Sequence, residues 1–253
     1  NKPKVVFLQR SRGYSSRNAF TVKTLKTVID IVKSASKDSI VVVDNCYGEF
    51  VEKQEPIEAG ADIIVGSLIK NPGGGLAPTG GYIAGKETLI QLISYRLTSP
   101  GIGCEVGSYA NTYQYFYQGF FMAPHVVAQA LKAAQLFCRT FDKLNYNVLP
   151  KPGDDYGDII ASINFNTAKE LIDFVQTIQS VSPVDSYVLP EPWDMPGYNH
   201  KVIMAAGTFV QGASIELSAD SPIKAPYIAY FQGALTYEHA KIALKNCLKK
   251  LFG

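Results

Sequence analysis

Three histidines, one tryptophan and four cysteines in 253 residues leave little material for a metal centre or a disulfide framework. Cys46, Cys104, Cys138 and Cys247 are widely spaced and form no Cys-x-x-Cys pair. His125, His200 and His239 have no ligand spacing with one another or with cysteine, so they read as structural, and no metal is expected. With no leader-type segment either, the thiols are expected to be reduced, in a cytoplasmic protein. No apolar run approaches the roughly 20 residues of a membrane span, and no block of lysine or arginine suggests a nucleic-acid surface. A Gly-x-Ser-x-Gly elbow is missing, which leaves a hydrolase triad without an anchor. Asp154-Asp155 lies in a Pro/Gly loop and reads as solvated.

What is present is a large apolar fraction. Apolar residues make up 47% and charged residues 18%, with a formal net charge of +2, the balance of a globular chain long enough for more than one domain. The chain opens Asn1-Lys-Pro-Lys and enters a strand at Val5–Leu8, so the expectation is a fragment lacking an upstream part of its fold. A polar, basic loop, Gln9-Arg-Ser-Arg-Gly-Tyr-Ser-Ser-Arg17, follows. Val22, Leu25, Val28, Ile29 and Val32 then recur at helical spacing. Ile40–Val43 and Ile63–Val65 are continuous β-branched runs of the kind buried on both faces, and Gly81–Ala84 is a further strand. Strand–helix–strand order of this type predicts an α/β fold with a mainly parallel sheet.

Beyond Lys86 the pattern is helical. Leu89, Leu92, Ile93 and Leu97 form one stripe, and Tyr109, Tyr113, Phe116, Tyr117, Phe120 and Phe121 form an aromatic one, read as core or subunit interface. A helix over about Pro124–Lys143 leads into a different texture. Strands are expected at Asp158–Phe165, Val202–Ala206 and Ala213–Leu217, and helices over Ala168–Ile178 and Tyr237–Leu251. Residues 1–145 are therefore expected to form a large domain and 146–253 a small α+β domain.

Chemistry concentrates at one place. Ile63-Ile-Val-Gly-Ser-Leu-Ile-Lys70 runs an apolar strand into a lysine and then into Asn71-Pro-Gly-Gly-Gly75, while Ile40-Val-Val-Val-Asp44 ends an earlier strand on an acid. Ligands of parallel sheets bind at the carboxyl ends of the strands, where Asp44, Lys70 and the Gln9–Arg17 loop all fall. An amine and a carboxylate so placed suit pyridoxal 5'-phosphate (PLP): the amine binds the cofactor's aldehyde carbon and the acid keeps the pyridine nitrogen protonated. Burial near a cationic ring is expected to lower the pKa of Lys70, and the glycines to allow close approach of the loop to the cofactor. Taken singly, Lys70 also reads as a surface lysine and Asp44 as a turn cap. Ser67 reads as a phosphate ligand or as a small packing residue. Lysine precedes the glycines, so the loop is not a nucleotide P-loop.

The segments Val41-Val-Val-Asp-Asn-Cys-Tyr-Gly-Glu-Phe50, Gly66-Ser-Leu-Ile-Lys-Asn-Pro-Gly-Gly-Gly75, Gly80-Gly-Tyr-Ile-Ala-Gly85 and Gln211-Gly-Ala-Ser-Ile-Glu-Leu-Ser-Ala-Asp220, with Gln9–Tyr14, resemble the aluminium-resistance-associated proteins. These are a branch of the cystathionine/methionine gamma-lyase group of fold-type I PLP enzymes. The resemblance implies a fold-type I PLP-dependent transferase-like fold and a homodimer or homotetramer. It makes Lys70 the Schiff-base lysine, Asp44 the partner of the pyridine nitrogen and Ser67 a phosphate ligand. The upstream phosphate loop and stacking tyrosine of that group are missing from this chain. Ile69 stands where related lyases carry a second hydroxyl, and the segment Gln211–Glu216 lacks the arginine that binds substrate carboxylate. That role would pass to Lys224 or to Arg10, Arg12 or Arg17. The implied reaction is carbon–sulfur cleavage of a sulfur amino acid such as cystathionine or methionine, by β- or γ-elimination. An aminotransferase or decarboxylase, and a non-catalytic PLP-fold protein or inactive fragment, are the competing readings.

Overall fold

The computed structural model describes residues 2–97 and 99–253. Four strands, β1 (Val5–Gln9), β2 (Ile40–Asp44), β3 (Ile63–Ser67) and β4 (Gly81–Gly85), form a first sheet in the order β1-β2-β3-β4. β1, β2 and β3 are parallel, with Gln9 opposite Asp44 and Asp44 opposite Val65, whereas β4 returns antiparallel to β3. The three parallel strands thus end at one edge, which is where the sequence places its acid and amine.

Helix α1 (Val22–Ala35) covers this sheet because Leu25 and Ile29 recur on one face and meet Val41 and Val43. The Thr21 side chain accepts from the Thr24 N–H and starts it, supplying an acceptor for a donor that has no helical partner. After β4 come α2 (Glu87–Leu97) and α3 (Gln114–Lys143). The apolar stripe of α2 is only half covered: Leu89 and Ile93 are half-buried, while Leu92 and Leu97 are exposed. The aromatic stripe also faces outward, with Tyr117 77% and Phe121 83% exposed, and only its part beyond Tyr113 is helical.

Pro124 lies inside α3 rather than at its start. The ring removes one helical hydrogen bond, yet burial of Ala123, Val126, Val127 and Ala130 on the turns around it holds the helix together. The second sheet comprises β5 (Asn147–Leu149), β6 (Ala161–Phe165), β7 (Val202–Ala205), β8 (Ser218–Pro222) and β9 (Tyr227–Gln232), ordered β5-β6-β9-β8-β7 and antiparallel throughout. The strand expected at Ala213–Leu217 is displaced to Ser218–Pro222. Ser214 adopts φ +57, which interrupts the extended run, and Ile215 and Leu217 are buried as loop residues instead. β9, unanticipated, sits at the centre of the sheet.

Helices α4 (Ala168–Ser180) and α5 (Tyr237–Phe252) complete this half, and Phe137 and Phe141 of α3 join their core. Phe141 and Phe174 meet edge to face, their centroids 6.0 Å apart at 87°, the arrangement that ring quadrupoles favour. α3 thereby packs on β5, β6 and β9, and its first turns pack on the Asn71–Gly73 turn that follows Lys70. No helix of the described residues is long and apolar enough to cross a membrane.

Candidate active site

Asp44, Ser67 and Lys70 are brought together because β2 and β3 run in the same direction and end at the same edge. Asp44 Oδ1 accepts the Cys46 N–H at 3.0 Å, folding the chain back immediately after the strand. That fold-back places Tyr47, at φ +69, against α3 through the cluster that includes Val126, Val127 and Ile159. Its carbonyl also accepts the Ile159 N–H at 3.1 Å. Ser214 and Lys70 lie beside the Tyr47 hydroxyl and oppose the rise that burial imposes on its pKa. Ser214 is itself at φ +57, so two left-handed non-glycine residues meet at this site, a strained arrangement that only well-packed surroundings maintain.

Lys70 Nζ lies 4.2 Å from the centroid of the Tyr47 ring, within cation–π range. Burial lowers the pKa of this amine, but attraction to Tyr47, Cys46 and Asp44 outweighs it and the net direction is upward. The expected depression is therefore not found. Tyr47, Cys46 and Asp44 together supply the countercharge, and the lowered pKa expected beside a cationic ring requires that second cation to take it up. Burial pushes the Cys46 thiol up to about 11 and raises Tyr47, so both are neutral near pH 7. The Ser67 hydroxyl has no hydrogen-bond partner among the described residues.

The glycines after Lys70 do something other than face a ligand. A Cβ on Gly74 would lie 2.4 Å from the Gly119 carbonyl oxygen of α3. Backbone meets backbone there, and the loop is clamped to the helix.

The proposed anionic-group ligands are placed differently from one another. Arg10 is fully buried. Its guanidinium donates to Glu52 Oε2 at 2.8 Å, Asn45 Oδ1 at 2.8 Å and Glu55 Oε2 at 3.2 Å, which assigns it to holding the loop after β2. Arg12 is buried too, donating to the Leu149 carbonyl at 3.0 Å and to Ser162 Oγ, and its pKa is lowered by burial against the attraction of Asp158. Arg17 donates to the carbonyls of Gln9 and Ser11 and stacks 4.2 Å over Phe20. Lys224 is exposed between β8 and β9. The structure thus does not gather Arg10, Arg12 and Lys224 beside Lys70.

An open cavity of about 330 Å³ lies next to Tyr47, lined by Tyr14, Tyr47, Tyr198, Tyr230, Asp220 and Gln232 among others. Tyr14 donates to Asp220 Oδ2 at 2.7 Å, and Tyr230 donates to the Tyr14 carbonyl at 2.8 Å. Burial raises the Asp220 pKa, while Tyr14, Gln232 and the nearby Lys70 oppose the rise. Tyr47, Asp220 and Tyr14 are the residues that sequence reasoning missed. The signal was available: all three sit inside the segments that carried the family resemblance, at the fourth position of Asp44-Asn-Cys-Tyr47 and at the ends of Gln9–Tyr14 and Gln211–Asp220.

The sequence profile of the methionine gamma-lyase family matches residues 1–252. The chain belongs to that family. It is 53% identical over 250 residues to the uncharacterised Bacillus subtilis protein YnbB, covering 99% of this chain and 59% of that protein. A crystal structure from Clostridium novyi, described as a carbon-sulfur lyase involved in aluminum resistance, superposes with a TM-score of 0.92 at 51% identity over 98% of this chain and 57% of its own. A Listeria monocytogenes structure, provisionally described as a cystathionine beta-lyase involved in aluminum resistance, gives 0.95 at 54% identity, over 98% of this chain and 61% of its own. The chain thus spans about three-fifths of the length of these relatives. A methionine gamma lyase from Micromonospora echinospora shares the fold at 16% identity, with a TM-score of 0.59. Within the methionine gamma-lyase family, then, the chain is a mixed α/β protein whose first sheet contains the parallel strands.

Proposed function

We propose that this protein is a PLP-dependent carbon–sulfur lyase acting on a sulfur amino acid of the cystathionine or methionine class by β- or γ-elimination. The observation that carries this reading is the Lys70 amine held over Tyr47 with Asp44 at the same strand edge. The donor set fits the cofactor. Lys70 offers an amine for an aldehyde, Asp44 a carboxylate for a protonated pyridine nitrogen, and Ser67 an uncommitted hydroxyl for a phosphate. When bound, PLP supplies an electron sink for the pair left on the substrate's α-carbon.

The remaining work falls to the chain. Asp44, fixed by the Cys46 N–H, would pair with the cofactor's protonated nitrogen, and its charge would then no longer be free to attract Lys70. Burial would in that case dominate, lower the amine's pKa and let it act as base toward the substrate's α-proton. Tyr47 limits where the amine can sit. The sulfur leaves with the carbon–sulfur bonding pair and takes up one proton, which balances the proton Lys70 removed. The partner chemistry proposed is a sulfur amino acid, and the assembly a cytoplasmic homodimer or homotetramer. The exposed stripe of Tyr117, Phe120 and Phe121 offers apolar surface for it.

Borohydride reduction followed by peptide mass analysis should place the modification on Lys70, and thiol release from cystathionine or methionine should vanish in Lys70→Ala. A Lys70→Ala protein that keeps the visible band of a lysine-bound cofactor sinks the assignment. Keto-acid formation that requires a keto-acid acceptor and releases no thiol favours transamination instead.

A further inference from the structure

The C-terminal half of α3 and helix α5 leave between them an open groove of about 880 Å³. Its floor is apolar, made by Leu136 and Leu144 from α3 and its C-cap and by Tyr237, Leu248 and Phe252 from α5. Leu144 is 41% and Phe252 53% exposed, so the chain itself covers this surface only in part. The charge along the groove is one-sided. Lys132, Arg139 and Lys143 line it and are exposed, and none of them makes an ion pair among the described residues. Its one acid, Asp142, lies 3.4 Å from Lys151. At about 100° per residue, Lys132, Arg139 and Lys143 share one stripe of the helix, with Leu136, Thr140 and Leu144 on the stripe beside it. A basic ridge thus runs along an apolar floor.

A half-exposed apolar strip flanked by unpaired cations is complementary to a partner of the inverse pattern. We propose that this groove docks an acidic amphipathic helix of a protein partner, its apolar face on Leu136, Leu144, Leu248 and Phe252 and its carboxylates along Lys132, Arg139 and Lys143. Helices that bind in grooves anchor themselves through residues at i, i+3, i+4 and i+7. The rise from Lys132 to Leu144 is about 18 Å, which gives a docked helix about three turns of contact. A basic partner would meet Lys132, Arg139 and Lys143 head on. A second copy of the same groove brings the same cations, so self-pairing through it is opposed. The groove lies at the other end of α3 from Gly119, where the helix meets the lysine loop, and the docking does not depend on what Lys70 does.

The test is fluorescence anisotropy of the purified protein with two labelled peptides of about 18 residues, long enough to be helical. Both carry leucine at i, i+3, i+4 and i+7 spacing; one flanks that stripe with glutamate and the other with lysine. At about 50 mM salt the acidic peptide is expected to bind at least tenfold tighter than the basic one, and the advantage should shrink toward about 500 mM as the charges are screened. The double variant Arg139→Glu/Lys143→Glu should reverse the preference. Both side chains are exposed, so its melting temperature should hold. Leu144→Asp should weaken the acidic peptide through the apolar floor, a second route if the double variant unfolds. Equal binding of the two peptides, binding of neither, or a preference that survives the double variant overturns the proposal. So does sedimentation showing self-association that Leu144→Asp breaks, since that assigns the groove to a second copy. Thiol release assayed in parallel keeps the two readings apart: its absence removes the lyase reading and leaves the groove assignment standing.

Discussion

The Tyr82 hydroxyl donates to Glu49 Oε1 at 2.8 Å, across a gap that exists because Gly66 has no side chain. A Cβ on Gly66 would lie 2.4 Å from the Tyr82 ring and 2.5 Å from Glu49 Oε1. This pair reaches both strand ends of the site. Asn45, next to Asp44, donates to the Tyr82 oxygen at 3.2 Å, and Asn71, next to Lys70, donates to the Glu49 carbonyl at 3.0 Å. Glu49 Oε2 is buried without a partner.

Burial pushes the Glu49 carboxyl up to about 8 from 4.5, against the opposing hydrogen bond from Tyr82 and the attraction of Arg10. Between those two pH values the folded chain keeps a proton that the unfolded chain has released. Glu49 therefore costs stability progressively as pH rises from about 4.5 to about 8. Glu49→Gln should flatten the stability–pH curve in that window, as read from urea midpoints at pH 5 and pH 8. Parallel curves for the two proteins would show that the carboxyl titrates elsewhere.

Asp44→Asn keeps an oxygen for the Cys46 N–H but removes one of the charges that attract Lys70. Without cofactor, the Lys70 pKa should fall and its acylation by an amine-selective reagent at pH 8 should become faster, as followed by peptide mass. With cofactor, thiol release should drop by roughly 10²- to 10⁴-fold, the scale of a lost acid–base function. Unchanged acylation would mean that Asp44 does not sense the amine.

Arg10→Ala should cost about 3 kcal/mol or more, because Asn45, Glu52 and Glu55 lose the buried guanidinium that joins them. Chemical denaturation measures this directly. A change below about 0.5 kcal/mol, the size of an ordinary surface substitution, would remove Arg10 from the scaffold of the site.

Gly119→Ala would set a Cβ 2.1 Å from the Gly73 carbonyl oxygen. Neither partner is a flexible side chain, so the loop after Lys70 must shift at a cost of about 1–3 kcal/mol. The cofactor's visible band should move or weaken along with the melting temperature. A lower melting temperature with an unaltered band would uncouple the helix contact from Lys70.

Much of this was legible in the sequence because local pattern and burial coincide in the first sheet. The β-branched runs at Ile40 and Ile63 are strands, and the acid and amine fall at their shared end because parallel strands leave no other arrangement. Legibility failed where the deciding contact is distant. Nothing local tells that Arg10 meets Glu52 and Glu55, or that Tyr14 meets Asp220 some 206 residues later. The left-handed Ser214 likewise moved a strand that composition alone placed at Ala213. Outward-facing Tyr117 and Phe121 carry the helical period as clearly as a core face does, since periodicity reports a face and not what covers it.

Helix α3 touches the lysine loop through Gly119 and the second sheet's core through Phe137. Gly119 and Phe137 are about 27 Å apart along the helix. The loop that carries Lys70 and the core of the second sheet are braced by one and the same helix, so a substitution that loosens α3 at either contact disturbs both.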